Sequence, residues 1–415
     1  MNNLFMRAYS KWIRDAFYIG QSEIATSLGI SIGTYSKMEQ GTKIMRDEDF
    51  KAIIHFYEMK KGSYSFCFDE KKRAEANGLI RKCIGVFVYR DQKTMLPILK
   101  EYLMDEKNWH CPAFFETNLL QMIYEYFCDL SFQERFSLLF DHEYLFDPSA
   151  RSILHDLYGL SKLRKYDESA IHSFQTAKAL SVFQPIPGWM GLIDYHMIIT
   201  FLRFMKPEKA YSLFEECRKD IQNSGSHRRL LDLQLNEAQC FMKLGLREEA
   251  DTIYQTMLQT YGQVDDDSVL KEIYGNYAWN QLMQRNDIFA IELAKKAIQF
   301  HATFPDIYIT LAYSNYRLDR AEEALQVIST FRNQKRTDNR SKMVLLFLDV
   351  LESLLLERKK KFERKATQLL PRLQNWKDLE VDIFVYLMLI DHYANLQDWQ
   401  SLCFYQAEMI KFLGY

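Results

Sequence analysis

An alanine recurs at a nearly constant interval from residue 170 onward. Four copies lie 40 residues apart and a fifth follows after 34, at Ala170, Ala210, Ala250, Ala290 and Ala324, with a weaker copy at Ala366. In most copies a bulky residue comes four positions later and a small or apolar residue three after that, as in Ala250-Tyr254-Met257. This spacing places all three residues on one face of a helix. Because alanine permits close approach and the bulky residue fills the neighbouring groove, the pattern predicts helical hairpins that stack on one another.

The composition supports a helical chain. With 15 Gly and 8 Pro among 415 residues, turn-forming residues are roughly half as frequent as in average proteins. A hydrophobic fraction of 48% excludes wholesale disorder, and a net charge of −2 excludes a chain that binds polyanions over its whole surface. The length also exceeds that of one single-core domain. We therefore expect an all-α protein built of more than one part.

Residues 21–41, QSEIATSLGISIGTYSKMEQG, predict two short helices joined by a tight turn. Apolar residues recur at helical spacing until Gly29, which ends the first helix. Ser31 is placed to cap the second helix, and Gly41 ends it. Further helices are expected on either side, over residues 5–17 and 47–57.

These residues resemble the Xre/Cro-type helix-turn-helix, in which the second helix enters the major groove of DNA. The resemblance implies an internal ion pair, Arg14–Glu39, that holds the first helix against the recognition helix, so Arg14 is expected to be structural. It also implies DNA contacts by Gln21, which would anchor its helix on a phosphate, and by Ser31, Ile32, Thr34, Lys37, Lys43 and Arg46.

The sequence departs from that family at the recognition helix. Ile32 and Gly33 stand where the family often has polar residues that read bases, and Gly33 has no side chain with which to read them. Direct readout is therefore expected from Thr34 and Lys37, with DNA shape as a further source of specificity. Residues 1–46 carry six basic and three acidic side chains, a net +3 that is consistent with DNA binding.

The repeated hairpins resemble tetratricopeptide repeats. The best match, Tyr308-x2-Leu311-Ala312 followed by Ala324-x3-Ile328, falls where the alanine spacing is 34 residues, as in that family. The 40-residue spacing elsewhere implies longer helices or turns. We expect a helix-turn-helix domain at residues 1–66 and, at residues 67–415, a tetratricopeptide-like right-handed α-solenoid of eight or nine hairpins. The alternative is an unrelated helical solenoid.

Three repeat positions are candidates for peptide contact. Asn236 and Asn276 match the asparagine with which tetratricopeptide receptors clamp a peptide backbone, since an amide offers donors and an acceptor; alternatively, both tie adjacent helices together. The second position is basic and would bind a carboxylate of the peptide; its members are Arg203, Lys243 and Arg317. Alternatively, these three are ordinary solvated side chains. The third position would form pockets for the side chains of the peptide; its members are Gln239, Trp279 and Tyr313.

No feature of the sequence indicates an enzyme or a bound metal. The histidines share no spacing with cysteines or carboxylates, and no phosphate-binding loop or nucleophile motif occurs. We therefore expect no catalytic residues, no metal and no cofactor. The basic run Arg358-Lys359-Lys360-Lys361, with Arg364 and Lys365, is predicted to be a solvated helix face.

The cysteines and the N-terminus indicate a cytoplasmic protein. The seven cysteines have no CxxC spacing, and the first residues lack an apolar signal core, so reduced thiols are expected. The most apolar stretch, residues 343–356, contains two acidic residues and is too short to cross a bilayer.

The order of the two parts resembles that of the peptide-sensing regulators of Gram-positive bacteria, the Rap/Rgg/NprR/PlcR/PrgX superfamily. This resemblance implies a homodimer that binds a pseudo-palindromic DNA operator and a short signalling peptide, with no membrane partner. Two alternatives remain: a DNA-binding regulator whose array is only a protein-interaction or dimerisation scaffold, and a regulator of response-regulator proteins like those of the Rap branch.

Overall fold

The computed structural model describes residues 1–62, 64–261, 267–376 and 379–412. All regular elements in these ranges are helices, so the predicted all-α fold class is confirmed. The first four helices form a segment that we call the head: α1 (Asn3–Ala16), α2 (Gln21–Ser27), α3 (Ile32–Gln40) and α4 (Asp47–Lys61).

The remaining helices are arranged as successive pairs, which we call the array. The pairs in the first part of the array are α5 (Lys71–Tyr89) with α6 (Gln92–Met104), α7 (Phe114–Phe127) with α8 (Phe136–Asp141), α9 (Pro148–Arg164) with α10 (Ala170–Ser181), and α11 (Trp189–Arg203) with a second helix broken into α12 (Pro207–Tyr211) and α13 (Phe214–Ser224). The later pairs are α14 (His227–Lys243) with α15 (Arg247–Tyr261), α16 (Asp267–Met283) with α17 (Asp287–Gln299), α18 (Asp306–Arg317) with α19 (Ala321–Asn333), α20 (Asn339–Leu355) with α21 (Lys359–Trp376), and α22 (Leu379–Asn395) with α23 (Trp399–Phe412). Within the described ranges this makes nine pairs, as the sequence predicts.

Helix length explains the unequal spacing of the alanines. The first helices α14 and α16, which lie in 40-residue intervals, each have 17 residues. Helix α18, in the 34-residue interval, has 12. The wider spacing therefore comes largely from about one and a half extra helical turns in the first helix of the hairpin.

The alanine pattern lies at the contact between helices, as predicted. Ala170, Phe174 and Ala177 of α10 are completely buried. Opposite them, α9 carries Gly159, where a Cβ atom would lie 2.5 Å from a ring carbon of Phe174. The aromatic ring thus occupies space that only a glycine leaves free, and α9 and α10 pack closely for that reason.

The chain divides into two compact units, Met1–Leu233 and Gln234–Tyr415, and helix α14 belongs to both. The first unit contains the head together with the array helices up to the start of α14. The head shares a packed core with the array helices of this unit, and the domain boundary between residues 66 and 67 stays a prediction.

An aromatic seam joins the head to the array inside the first unit. Three residues spaced along α1 contact α7: Phe5 lies 6.0 Å from Phe115, and Tyr9 and Trp12 lie 5.2 Å and 4.1 Å from Phe114, measured between ring centroids. Both phenylalanines of α7 are buried. Helix α1 therefore serves two cores, one within the head and one against the array.

Helix α5 contacts later helices of the same unit one after another. Its apolar stripe, from Ala76 to Val88, is buried. Three arginines spaced along it each bind a carboxylate of a later helix or of its N-cap: Arg73–Glu116 of α7 at 2.7 Å, Arg81–Asp147 at the start of α9 at 3.0 Å, and Arg90–Asp232 of α14 at 2.8 Å. The hairpins of the first unit are thus tied to a single helix.

Candidate functional site

The turn between α2 and α3 follows from local sequence signals. Gly29 has a φ of +66°, a left-handed conformation that glycine adopts without strain. Ser31 then caps α3, because its side-chain oxygen accepts a hydrogen bond of 3.2 Å from the backbone N–H of Thr34. Gly41, with a φ of +79°, ends the helix.

Arg14, Glu39 and Gln21 form one partly buried network behind α3. The Nε and Nη2 atoms of Arg14 donate to the two carboxylate oxygens of Glu39 at 2.8 Å and 3.3 Å, and the Gln21 amide donates to the same carboxylate at 2.8 Å. The Glu39 side chain is only 4% exposed. Burial lowers the pKa of Arg14, but its hydrogen bond to Glu39 and the charge of that group outweigh burial and raise the pKa overall. The pair ties α1 to α3, as the resemblance implies.

The outward face of α3 and the loop after it is open to solvent within the first unit. Ile32 is 53% exposed, and Lys37 and Lys43 are exposed as well. Thr34 is half-buried, and its hydroxyl accepts a hydrogen bond of 3.0 Å from Ser31.

Two further side chains complete this surface. Arg46 is exposed and forms an ion pair of 3.3 Å with Asp49 at the start of α4. Ile44 is 74% exposed beside Lys43. The sequence gives no reason to single out Ile44, because a lone isoleucine in a loop carries no periodic signal.

In the array, Gln239 and Asn276 bind each other. The Gln239 amide donates to the Asn276 side-chain oxygen at 2.8 Å, and the Asn276 amide donates to the backbone carbonyl of Glu272 at 2.8 Å. Asn236 is half-buried one turn before Gln239. Both polar groups of Asn276 are therefore engaged inside the array, in the way expected of an asparagine that ties adjacent helices.

The basic repeat position reaches back to the preceding hairpin. Arg203 donates to the carbonyl of Leu163, in the last turn of α9, at 3.0 Å. Arg317 donates to the carbonyl of Leu282, in the last turn of α16, at 2.7 Å and also pairs with Asp287. Carbonyls at the end of a helix lack an intrahelical partner, so these two arginines cap the first helix of the preceding hairpin. Lys243, at the same repeat position, is half-buried.

The two aromatic residues of the third repeat position lie against helix α22. Tyr313 is only 2% exposed, and its ring centroid is 4.7 Å from that of Phe384. Trp279 is half-buried, 5.8 Å from the same ring. Burial raises the pKa of the Tyr313 hydroxyl well above its usual range. Tyr313 therefore belongs to the core of the second unit rather than to its surface.

Across the described residues, no group of three or more His, Cys, Asp or Glu side chains is arranged to hold a metal ion. The seven cysteines are free thiols, of which Cys403 is exposed. The described helices include none with the length and apolar character needed to cross a membrane.

Comparison with known proteins shows similarity in fold only. No protein-family model matches the sequence, and no curated protein is similar to it. The apo form of the quorum sensor NprR from B. thuringiensis is similar with a TM-score of 0.67 at 16% identity, over 82% of this chain and 99% of that one. NprR in complex with its cognate peptide NprX gives 0.58 at 15% identity, over 77% and 98%.

A Rap protein complexed with Competence and Sporulation Factor gives a TM-score of 0.69 at 11% identity, over 82% of this chain and 98% of that one. The resemblance to the Rap and NprR branches of the superfamily is thereby confirmed for the helical-repeat fold.

Proposed function

We propose that the chain is a cytoplasmic, DNA-binding transcription regulator that acts as a homodimer and whose array binds a short signalling peptide. The observation that carries the DNA part is the exposed face of α3 and its loop, with Lys37 and Lys43 open to solvent in front of the Arg14–Glu39 pair. The fold likeness to NprR, which was solved with its cognate peptide, supports the peptide part.

In this proposal the head reads DNA and the array controls it. Thr34 and Lys37 contact base edges, Gln21, Lys43 and Arg46 contact phosphates, and two heads occupy half-sites about 34–36 Å apart or a multiple of that distance. Peptide binds one arrangement of the hairpins better than another and so shifts the population of dimers that fit the operator. No catalytic step and no cofactor are involved.

A second candidate is a regulator whose array is a scaffold without a peptide ligand. It is favoured by the contacts of Asn276, Arg203 and Arg317, which are all engaged inside the array. In the peptide proposal, the residues left to contact ligand are Asn236, Asn276, Gln239, Lys243 and the half-buried Trp279. Asn276 must exchange its partners on binding.

Fluorescence anisotropy of the full chain on DNA from upstream of its own gene tests the DNA part. Lys37→Ala is expected to weaken specific binding by about 1–3 kcal/mol. Lys43→Ala should weaken binding to all DNA sequences alike and reduce the salt dependence of the DNA affinity by the equivalent of about one phosphate contact. Lys100→Ala, an exposed lysine of α6, is the matched control. Unchanged affinity in both head variants would contradict the assigned surface.

Calorimetry and thermal unfolding with short peptides encoded beside the gene test the peptide part. A ligand at 100 times its Kd should stabilise the chain by about 2.7 kcal/mol. If Asn276 clamps the peptide, Asn276→Ala weakens binding by about 1–3 kcal/mol. A variant that loses stability but binds peptide like the parent would identify Asn276 as a structural tie and favour the scaffold.

A further inference from the structure

Helix α23 is apolar on two sides, and the described part of the second unit covers only one of them. None of its 14 side chains is buried, although most of them are apolar. The inner side packs on α22, where Tyr405 stacks on Tyr393 at 5.5 Å and Phe412 lies 5.9 Å from Tyr386, measured between ring centroids. A helix that is apolar all round is normally buried all round. The side that faces away from α22 therefore calls for a partner.

This outer side carries a regular stripe of exposed residues. Four of them follow one another at intervals of four, three and four positions, and we call them the outer stripe: Trp399, Cys403, Gln406 and Ile410. Two helices that pack as a coiled coil use this spacing. Trp399 is 64% exposed and Ile410 50%, and Phe404 beside the stripe is 57% exposed.

The exposed apolar area is large for a single helix. At about 150–250 Å² for a whole aromatic side chain, Trp399, Phe404 and Ile410 together present roughly 300–400 Å². A stable interface buries about 800 Å² on each partner, of which a little more than half is apolar. The outer side of α23 would therefore supply most of the apolar part of one such interface.

The two ends of the outer stripe complement each other in charge. Asp398, whose carboxylate caps the first turn of α23, precedes Trp399, and Lys411 follows Ile410. Lys411 is 81% exposed, and its ion pair with Glu408 of the same helix is 3.8 Å long. When two copies of α23 lie antiparallel, the basic end of each meets the acidic end of the other. A parallel pair would instead bring Lys411 against its own copy.

We propose that α23 is the interface between two copies of this chain, packed antiparallel about a twofold axis between Cys403 and Gln406. The inference rests on the homodimer of the proposed function and names the surface that forms it. A twofold axis uses the same patch on both subunits, so the patch must be complementary to itself. The outer stripe meets this condition, because Trp399 packs against Ile410 of the partner subunit. Lys411 of the partner subunit then lies near both Asp398 and the indole ring, which attracts a cation.

Sedimentation of the full chain tests the proposal, and the parent should be a dimer. The double variant Trp399→Glu/Ile410→Glu should raise the dissociation constant of the dimer at least about a hundredfold, because four carboxylates would be buried in one dimer. Both residues are exposed in the single chain, so the variant should keep its fold, which circular dichroism checks. Phe183→Glu, which changes a residue that is 76% exposed between α10 and α11, should leave the dissociation constant unchanged.

Two further variants test the pairing itself. Lys411→Glu should weaken the dimer about tenfold at low salt, because it sets a second acid against Asp398 of the partner subunit. In a parallel pair, like charges face each other before and after this change, so the affinity would stay the same. A short bismaleimide should join two parent chains through the exposed Cys403, and Cys403→Ser should abolish that product.

The outcomes separate this inference from the proposed function. A dimer that resists the double variant, or that does not crosslink through Cys403, would overturn the α23 interface and leave the proposed function standing. Unchanged affinity in Lys411→Glu would overturn the antiparallel arrangement. A parent chain that sediments as a monomer would overturn both the interface and the homodimer. If the double variant is unfolded, the Cys403 and Lys411 measurements decide.

Discussion

Substitution of Arg317 can show whether the basic repeat position contacts a ligand or stabilises the array. Its Nε atom donates to Asp287 at 2.9 Å, its Nη2 atom donates to the Leu282 carbonyl at 2.7 Å, and its guanidinium lies 5.0 Å from the ring centre of Tyr313. The side chains of Arg317 and Asp287 are 15% and 9% exposed. We predict that Arg317→Ala destabilises the array whether or not a peptide is present.

The magnitude follows from what the substitution leaves behind. Removing one partner of a buried ion pair typically costs about 3–5 kcal/mol, because the other charge stays buried. The Leu282 carbonyl also loses one donor, which adds at most about 1 kcal/mol because the backbone N–H of Arg285 still donates to it at 3.1 Å. These costs are not additive, and the residual exposure of Asp287 admits some water. We therefore expect a loss of about 3–4 kcal/mol in local stability.

Hydrogen exchange of the full chain gives the local readout, since a repeat array need not unfold as a single unit. Amides of α16, α17 and α18 should lose protection in Arg317→Ala. Arg320→Ala, an exposed arginine at the start of α19, should stay within about 0.5 kcal/mol of the parent. Replacing both partners by apolar residues, as Arg317→Met/Asp287→Leu, should restore most of the loss. Unchanged protection in Arg317→Ala would refute the structural role, and weaker peptide binding alone would favour ligand contact.

Four further substitutions, one of them a control, test other contacts. Arg14→Ala leaves the buried Glu39 carboxylate without its cation and should lower head stability by about 3 kcal/mol, seen as lost exchange protection in α3. Gly159→Ala should destabilise by about 1–3 kcal/mol through steric overlap, whereas Gly85→Ala, with no atom within 4 Å of the added Cβ, should stabilise by about 0.5–1 kcal/mol in denaturant titrations. Burial of Asp194 outweighs its ion pair with Lys178 and raises its pKa to about 6. Because the unfolded chain loses this proton at lower pH than the folded chain does, the free energy of unfolding should fall by about 3 kcal/mol as pH rises from about 4 to 6. Asp194→Asn should remove that pH dependence.

Short-range sequence signals were sufficient to predict the turn and the helix ends in the head. Gly29, Ser31 and Gly41 act on residues no more than a few positions away, so the turn and both ends of α3 were predictable from the sequence. The stacking of hairpins was also predictable, because the repeated alanine reports a contact that every hairpin makes with its neighbour. The domain division and the ligand-contacting residues stay predictions.

The direction in which a side chain points within a repeat could not be predicted from the sequence. Periodicity shows that Arg203 and Arg317 share a position, but a side chain at the end of a first helix can face a ligand or the preceding hairpin. Which one it faces depends on a backbone carbonyl at the end of a helix about 35–40 residues earlier, and the sequence cannot show this because every residue type carries such a carbonyl. Tyr313 is similar, since the ring that covers it, Phe384, lies in another hairpin that no short-range pattern connects to it.

The way the head is attached limits how an array can control it. A DNA-binding domain on a flexible linker would rotate independently of the hairpins, but here α1 is packed on α7 through Phe114 and Phe115. Helix α5, which follows the head, is bound to α7, to the start of α9 and to α14 by its three arginines. A change in the angle between these hairpins cannot occur without shifting contacts along α5, because packed cores switch between arrangements rather than deform smoothly. Under the proposed function, we therefore expect the head to move together with the first hairpins, and a ligand to act by changing how one hairpin packs on the next.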